Sequence, residues 1–511
     1  MIKSGLLLLA LFFTHISQAQ WVYTGGNVSH NHTYPAHYSL AVDTADTPYA
    51  AFADLGNTYV VTVKKLDGFA GWINVGTPGF ITGSALFYNP GTSIAVNPLD
   101  NSPWLALADG EHDNKISVMR FDGNNWVFVG PRGVTHASAC GVKLVFTPNG
   151  TAYIVYSDCY NGSAISAMKY TAGNWSPAGV PGFAGGNYFN VTASPDNSIS
   201  VAFQDFDIEN KVSVKTFNGT SWIYQGNTGF SEGEIQNVNI TSDASGNLYT
   251  CYTDYSQNGR LFVKKLNGNT WSSPGDNPVS QFTAAFSDIS VNRFGIPYVS
   301  YTDGTSPKVK KLVNGSWNLV GNAVAAGSSF HTSLYNDSLG NPAVLLSLQP
   351  SSTLPFFLKY KPCSDPDYSL AVSATADSAI TQTGGTTTIS VTATGGVGPY
   401  TGTGNFSVTA GYYIYTVTDA NGCTASADIN ITEPQPVCTE NYWTGTAGTD
   451  WNDVNNWSCG SLPGDITTVY VETGAANYPV VTNTVVCKQL VVASAVVITV
   501  ASGGHINVVG N

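Results

Sequence analysis

The sequence predicts an all-β fold whose main part is a seven-bladed β-propeller, and three observations support this prediction. A tryptophan followed four residues later by a glycine occurs seven times, at intervals of 46 to 54 residues. Each interval contains short apolar segments separated by turn residues. The last interval lacks its tryptophan segment, whereas one such segment stands near the start of the chain. Four short strands in a repeat of about 50 residues are typical of a propeller blade.

The repeated tryptophans follow hairpin turns and mark the fourth strand of each blade. The pairs are Trp21/Gly25, Trp72/Gly76, Trp126/Gly130, Trp175/Gly179, Trp222/Gly226, Trp271/Gly275 and Trp317/Gly321. Several of the preceding turns are Asp-Gly or Asn-Gly, such as Asp122–Gly123 and Asn218–Gly219, which tolerate the positive φ of two-residue hairpins. We expect the seven indole rings to pack between adjacent blades.

The two ends of the repeat region complete each other. The seventh repeat (331–363) has three strand segments, and the segment that begins at Trp21 supplies a fourth. We therefore expect the N-terminal strand to close the last blade of a ring that spans 20–363. Closure leaves only short sheet edges. The alternative is two stacked sheets or an open array, and an open array needs capping repeats.

The N-terminus and the composition favour an exported protein. Residues 1–19 have a positive start at Lys3, a short apolar run and small residues before Gln20, which predicts a signal peptide cleaved there. No later segment has 18 consecutive apolar residues, so we expect no transmembrane anchor. The net charge is −13, with only four arginines, which argues against nucleic-acid binding.

Export makes the eight cysteines candidates for disulfide bonds. Cys140 and Cys159 lie symmetrically about the turn at 148–150, so we predict a cross-strand bridge between them. Cys251 lies inside a strand and is predicted to be a buried free thiol. Cys363 and Cys423 bracket the next domain and form a second candidate pair. The remaining three, Cys438, Cys459 and Cys487, leave one over, and the sequence does not assign them.

The pattern changes after Cys363. Residues 364–436 are rich in Thr, Ala, Ser and Gly and contain alternating strand segments. The segments that carry a resemblance are Gly395–Gly396, Gly398–Tyr400, Tyr415–Val417, Asp419–Cys423 and Thr432–Pro434. They resemble the SprB-type repeat of gliding-motility adhesins. This resemblance implies an immunoglobulin-like β-sandwich module and a place on the outer surface of a Gram-negative bacterium, or secretion from it.

The third part, 437–511, places three tryptophans between turn residues and then repeats short apolar strands. This pattern resembles the opening rungs of secreted parallel β-helix proteins, which implies a β-helix-like segment. The sequence ends at Asn511 without an obvious cap, so the domain is either small or truncated. The propeller repeats themselves resemble exported bacterial propellers with a DG/NG-x-x-W-x-x-x-G blade ending, as in the segments 63–76 and 263–275.

Acidic residues form the first group of candidate site residues. Six of the seven second strands end in Asp, a residue that fixes a turn by accepting backbone N–H bonds. Two of the loops that follow carry three carboxylates at alternate positions. These are Asp109, Glu111 and Asp113, and Asp205, Asp207 and Glu209. Hard oxygen ligands at this spacing suit Ca²⁺, so we predict calcium as the possible cofactor, with a solvated acidic hairpin as the alternative.

Histidines and aromatic residues form the second group. His37 and His331 precede the inner strands of the first and last blades, which are neighbours in a closed ring. Tyr88, Tyr188, Phe183 and Phe230 are predicted on the same face of the propeller. Aromatic rings stack on the C–H faces of sugars, so these residues predict a glycan-binding face. The alternative for the aromatic residues is packing between blades.

The sequence contains no nucleophile elbow, zinc-protease helix or phosphate-binding loop. Four scattered arginines do not supply the arginine triad of a sialidase. The predicted function is therefore non-catalytic recognition or adhesion outside the cell, with a glycan or a protein as the partner. The alternatives are a polysaccharide-cleaving hydrolase that uses carboxylates of the propeller face, and a structural scaffold without a small ligand.

Overall fold

The structure is a computed structural model of the 511-residue chain. The residues that it describes are 21–28, 38–54, 60–68, 70–81, 91–304, 306–321, 324–325, 327, 329–348, 352–364, 368–434 and 437–510. They are almost entirely strands and turns, so the predicted all-β class is confirmed. The chain separates into two compact units. The first contains all of the tryptophan repeats, runs to Leu370 and also includes 395–399 and 418–424, and the second contains 371–394, 400–417 and 425–511.

Strand β1 (Trp21–Asn27) is followed by sheets of four antiparallel strands that are consecutive in sequence. The first sheet contains β2 (Ser39–Val42), β3 (Pro48–Asp54), β4 (Val60–Asp67) and β5 (Gly71–Asn74). The second contains β6 (Thr92–Val96), β7 (Pro103–Asp109), β8 (Lys115–Phe121) and β9 (Trp126–Phe128). The third contains β10 (Ala139–Phe146), β11 (Ala152–Asp158), β12 (Ala164–Thr171) and β13 (Asn174–Pro177).

The next three sheets repeat this order. The fourth contains β14 (Ala184–Ala193), β15 (Ile199–Asp205), β16 (Lys211–Phe217) and β17 (Trp222–Tyr224). The fifth contains β18 (Ile235–Ser242), β19 (Leu248–Asp254), β20 (Arg260–Asn267) and β21 (Thr270–Ser272). The sixth contains β22 (Ala285–Val291), β23 (Pro297–Thr302), β24 (Pro307–Val313) and β25 (Ser316–Leu319). A short pairing of β12 with β14 links the third and fourth sheets.

The last sheet of the series combines both ends of the repeat region. It contains β26 (Ser329–Asn336), β27 (Pro342–Leu348), β28 (Ser352–Tyr360) and β1. Strand β1 runs antiparallel to β28, with Trp21 opposite Tyr360. Each first strand contacts the first strand of the next sheet, and β26 contacts β2. The sheets therefore form a closed cycle, as the position of the Trp21 segment predicts.

The tryptophan–glycine spacing has a structural explanation. The indole nitrogen of Trp222 donates a 2.8 Å hydrogen bond to the carbonyl of Ala178, the residue before Gly179 of the preceding repeat. Trp126, Trp175 and Trp271 make the same bond to the residue before the preceding repeat's glycine. Each of these indole rings thus lies against the glycine of the preceding repeat. The contact between tryptophan and glycine stabilises the packing of adjacent sheets.

The disulfide prediction for Cys140 and Cys159 is confirmed. Cys363 also pairs with Cys423, and Cys438 with Cys459. Cys251 is a buried free thiol, as predicted. Cys487, which the sequence left unassigned, is also buried and free.

The remaining strands differ between the two C-terminal stretches. Within 368–434, one sheet contains β29 (Leu370–Ala376), β30 (Thr387–Gly395) and β31 (Gly404–Val408), and β32 (Gly411–Thr418) pairs with β33 (Thr424–Ile431). Within 437–510, the strands are β34 (Glu440–Tyr442), β35 (Thr468–Val471), β36 (Val480–Val481), β37 (Thr484–Cys487), β38 (Gln489–Val492), β39 (Thr499–Val500) and β40 (His505–Val508). These short strands pair in parallel, β34 with β35, β35 with β38, β36 with β39 and β37 with β40.

Across the parts of the chain that the structure describes, no helix has both the length and the apolar character needed to span a bilayer.

Candidate functional site

The first strands of three consecutive sheets carry β-bulges near their N-terminal ends. The register shifts lie between Asn187 and Asn190 in β14 and at the equivalent places in β18 and β22. Tyr188, Asn237 and Phe286 occupy these bulges with φ of 44°, 52° and 51°. Non-glycine residues in this region carry backbone strain, and such strain is concentrated at functional sites. The surface that these three bulges line is therefore a candidate ligand-binding site.

That surface is a pocket of about 360 Å³ at one end of a central channel. Residues of β10, β14, β18, β22 and β26 line it, together with Tyr38. Tyr188 is 41% exposed although it belongs to an inner strand. The Phe286 ring packs against the ring of His331, with centroids 5.2 Å apart. The pocket thus combines an accessible aromatic ring with a histidine and several asparagines, among them Asn190 and Asn239.

A polar residue occupies the equivalent position in every first strand, just beyond the bulge where a bulge is present. These residues are Ser39, Ser93, Lys143, Asn190, Asn239, Asp288 and Ser333, and we call them the polar ring. A second pocket of about 460 Å³ shares Lys143, Asn190, Asp288 and Ser333 with the first pocket. The polar ring therefore lies between the two pockets. We call the first of them, of about 360 Å³, the channel pocket, and the polar ring forms its floor.

Several members of the polar ring connect neighbouring sheets. The hydroxyl of Ser39 accepts a 2.9 Å hydrogen bond from the backbone N–H of Ile94, and the hydroxyl of Ser93 accepts one of 3.0 Å from Leu144. Asp288 accepts 2.8 Å bonds from the N–H groups of Ile289 and Leu334. The ring is thus partly structural, because it satisfies backbone donors where the first strands approach each other.

The ring also contains one positive and one negative charge. Burial raises the pKa of Asp288 to about 6, although the two backbone donors and Lys143 act in the opposite direction. Burial lowers the pKa of Lys143, and the attraction of Asp288 offsets this only in part. Among the ion pairs between described residues, none joins Lys143 to Asp288. The two charges interact across the channel without contact.

The raised pKa of Asp288 predicts a pH-dependent stability. The unfolded chain loses this proton near the ordinary aspartate pKa of 3.8, whereas in the folded chain the pKa is about 6. The contribution of Asp288 is therefore fully present below pH 3.8 and is lost as pH rises through 6. Because the side chain lines an open channel facing Lys143 and His331, we expect a change of about 1–2 kcal/mol.

The measurement is the melting temperature between pH 4 and 7 for the wild type and Asp288→Asn. The melting temperature of Asp288→Asn should fall less than that of the wild type as the pH rises from 4 to 7, whatever the absolute stability of the variant. Asp113→Asn is the control, since Asp113 is exposed and lies at positive φ, which Asn tolerates. Identical slopes for wild type and Asp288→Asn would contradict the assignment.

The structure brings together two of the predicted ligand-binding residues. Tyr188 and His331 line the same pocket, although they are separated by more than 140 positions in the chain. His37 and Tyr88 lie outside the described residues. Tyr188 and His331 thus remain candidates for ligand contact.

Phe183 and Phe230 lie against two of the repeat tryptophans. Phe183 stacks on Trp222 with centroids 3.9 Å apart, and Phe230 stacks on Trp271 at 4.6 Å. Neither residue lines the channel pocket. One face of each ring is covered by a repeat tryptophan, Trp222 or Trp271. Both rings therefore pack between sheets, which is the alternative that the sequence left open.

The acidic loops do not assemble the predicted calcium sites. The described residues contain no cluster of three or more His, Cys, Asp or Glu side chains that could hold a metal ion. In the first loop, Asp109 is fully buried and its carboxylate binds Arg132 through bonds of 2.9 and 2.8 Å. Glu111 and Asp113 are exposed to solvent. Nη2 of Arg132 donates to both Asp109 and Glu111, at 2.8 and 2.9 Å, so an arginine pairs with these two carboxylates.

Asp109 and Asp205 are turn anchors instead. Burial alone would raise the pKa of Asp109, but bonds from Arg132 and Ser117 outweigh it and the pKa lies below its usual value. Asp205 caps a short 3-10 turn by accepting the N–H of Asp207, whereas Asp207 and Glu209 are exposed. Glu209 pairs with Lys211 at 3.0 Å. In each loop the first carboxylate is buried at the turn and the two that follow are exposed.

Sequence reasoning missed Lys143, Asn190, Asn239 and Asp288. Their signal is a polar residue inside each otherwise apolar first strand, as in the segments VKLVF, FNVTA, VNITS and SDISV. This alternation is also what a half-exposed strand of any sheet shows. Only the closure of the cycle places the four positions around one channel.

Comparisons with known proteins give limited similarities. A family model described as a domain of unknown function (DUF8693) matches residues 442–511. No curated protein matches the chain. Among solved structures, a fucose-specific lectin from Aleuria aurantia is similar with 15% identity and a TM-score of 0.40, over 57% of this chain and 96% of that one.

Two enzymes are similar to the same extent. A fungal alcohol oxidase of the AA5 family, in complex with copper, has 12% identity and a TM-score of 0.46, over 81% of this chain and 98% of that one. A polysaccharide lyase has 12% identity and a TM-score of 0.42, over 66% of this chain and 93% of that one. All these scores are low, so the architecture of this chain rests on its strand pairing.

Proposed function

We propose that this protein is a non-catalytic recognition protein that binds a glycan in the channel pocket of a seven-bladed propeller. The observation that carries the proposal is Tyr188, an exposed ring on a strained bulge above an asparagine-lined pocket. The seven four-stranded sheets and the pairing of β1 with β28 support the blade count.

The chemistry of the pocket suits a sugar. A tyrosine ring offers an apolar face to the C–H side of a pyranose, and its hydroxyl group offers a polar edge. The amide of Asn237 adds a donor and an acceptor for hydroxyl groups, whereas Asn190 donates to Asn239 and Asn239 donates to the carbonyl of Ser287. A volume of about 360 Å³ is at the small end of the range for ligand pockets, which suits one or two sugar rings.

A binding role fits the described lining better than the hydrolytic alternative. Hydrolysis of a glycosidic bond ordinarily uses two carboxyl groups about 5 to 10 Å apart. Asp288 is the single carboxylate among the described residues of this pocket, and two backbone donors occupy its oxygens. A protein partner is less well suited, because protein interfaces are broad and this site is a narrow concavity.

The proposal places the protein outside the cell. The three disulfides and the predicted signal peptide at 1–19 support export. We further propose that 364–436 form an immunoglobulin-like module of the SprB type and that 437–511 form a β-helix-like segment. The antiparallel pairing of β30 with β31 in the first stretch and the parallel pairing of the second support these assignments.

The proposal predicts that Tyr188→Ala weakens glycan binding while the fold is retained. Loss of the stacking face should weaken binding by about 10-fold or more, since aromatic contacts with ligands contribute about 1–3 kcal/mol. The measurement is a glycan array followed by calorimetric titration of the best saccharide. Tyr160→Ala is the matched control, because Tyr160 is 81% exposed and does not line the pocket.

Two results would contradict the proposal. One is equal affinity of the wild type and Tyr188→Ala for a saccharide that binds the protein. The other is release of reducing ends from a polysaccharide panel, which would establish the hydrolase instead.

A further inference from the structure

Lys143 departs from the bonding pattern of the polar ring. At Ser39, Ser93 and Asp288, a side-chain oxygen accepts an N–H from the first strand of the next sheet. Lysine has no acceptor and cannot do this. The corresponding N–H group, that of Val191, is instead bound at 2.8 Å by the side chain of its own neighbour Asn190. The next sheet therefore compensates for Lys143, and no inter-sheet bond requires a lysine there.

The ammonium group of Lys143 has no hydrogen bond or ion pair to any described residue, yet it lines both channel pockets. Its lowered pKa agrees with a charge that burial has deprived of water. Lysines of the third strands, by contrast, are satisfied by the protein. Lys215 donates at 2.6 Å to the carbonyl of Phe183, and Lys310 donates at 2.7 Å to that of Val279. The Lys143 side chain is partly buried, so its ammonium group lacks part of its hydration and is still within reach of a ligand in the pockets.

Asp288 does not neutralise Lys143 by contact. Its two oxygens each accept one backbone N–H, which holds the carboxylate against β26. Lys143 is also the only lysine or arginine among the described residues of the pocket. An anionic group that enters from the mouth would thus meet one cation at the floor, while Tyr188 remains free to stack on the rest of the molecule.

We propose that the ligand is an acidic saccharide whose carboxylate or sulfate group binds the ammonium group of Lys143 at the floor of the channel pocket. This inference rests on the proposed glycan-binding function and names the substrate class of the same site. The bulge residues hold the neighbouring sugar rings, and the charge contact selects anionic over neutral saccharides. A charged hydrogen bond of this kind gives a discrimination of about 10- to 100-fold.

The test uses the full chain and two pairs of probes that differ only in charge. One pair is tetragalacturonate and its fully methyl-esterified form, which reports on carboxylate. The other is a sulfated carrageenan tetrasaccharide and its desulfated form, which reports on sulfate. Calorimetric titrations compare the wild type, Lys143→Met and the control Lys361→Met. Lys361→Met makes the same change of net charge as Lys143→Met. Lys361 is exposed, lies outside the sheets and does not line the pocket.

In at least one pair, the anionic probe should bind the wild type about 10-fold or more tightly than its neutral partner. That difference should disappear in Lys143→Met and persist in Lys361→Met. The melting temperature of Lys143→Met should not fall, because the change removes no ion pair between described residues.

Each contrary result has a distinct meaning. Equal binding of anionic and neutral probes, or a preference that survives in Lys143→Met, overturns the inference while the glycan-binding function stands. Tighter binding of a pentaglutamate peptide than of any saccharide overturns the inference in favour of an acidic peptide ligand. If none of the four saccharides binds, the inference is overturned. If the glycan array is negative as well, the proposed function is also overturned.

Discussion

Replacing Trp21–Asn27 by a glycine-serine segment of equal length should lower the melting temperature of the repeat region by about 10 °C or more. The replacement removes the pairing of β1 with β28 and leaves β28 as an open edge. It also removes Trp21, which is 6% exposed, donates a 3.0 Å bond to Val320 and packs on Tyr360 at 5.4 Å. Loss of a buried tryptophan alone costs about 3–5 kcal/mol.

Calorimetry of the full chain measures this effect, and point variants keep the test informative if the replacement does not fold. Trp21→Ala should carry a large part of the loss. Tyr23→Ala, in the same strand but 48% exposed, should change the melting temperature little. An unchanged melting temperature in the replacement variant would show that the cycle of sheets does not depend on β1.

Gly179→Ala should lower the stability of the repeat region through both backbone strain and a steric clash. Gly179 lies at φ 80°, and a Cβ there would lie 2.9 Å from Cδ1 of Trp222. Trp222 cannot move away easily, because its nitrogen bonds Ala178 at 2.8 Å and its ring stacks on Phe183. We expect backbone strain of about 1–2 kcal/mol and a packing cost of about 1–3 kcal/mol.

Gly173→Ala separates these two contributions. Gly173 has φ 86°, and a Cβ there meets nothing within 4 Å. This variant should show the strain alone, so the difference between the two melting temperatures measures the clash with Trp222. In the Trp222→Ala background the two glycine substitutions should cost the same. If Gly179→Ala and Gly173→Ala lower the melting temperature equally in the wild-type background, Gly179 is needed only for its turn conformation and not for the space that Trp222 occupies.

Much of the propeller region was predictable because its information is local and repeated. The Trp–Gly interval, the Asp-Gly and Asn-Gly turns and the short apolar runs each specify one strand or hairpin. The position of the Trp21 segment then indicated which strand completes the last sheet, and the observed pairing of Trp21 with Tyr360 agrees with it. The bridge between Cys140 and Cys159 followed from the same local reasoning about one hairpin.

The candidate site was harder to predict because its residues come from different repeats. Phe183 and Phe230 looked accessible in sequence, but the tryptophans of their own sheets cover them. The acidic loops looked like ligand sets, but the turn after Asp109 buries one carboxylate and exposes the others. Spacing along a loop does not report the direction of its side chains once the chain turns.

The sequence by itself determined the β class, the repeat, the strand that closes the cycle and the glycine that follows each repeated tryptophan. Only the tertiary structure decided why that glycine is needed, since the indole that occupies its space belongs to the next repeat. It likewise decided that Lys143 and Asp288 face one channel and that Lys143 has no described partner there. The physical reason is that strand formation depends on neighbours in sequence, whereas burial, charge pairing and steric contact depend on neighbours in space.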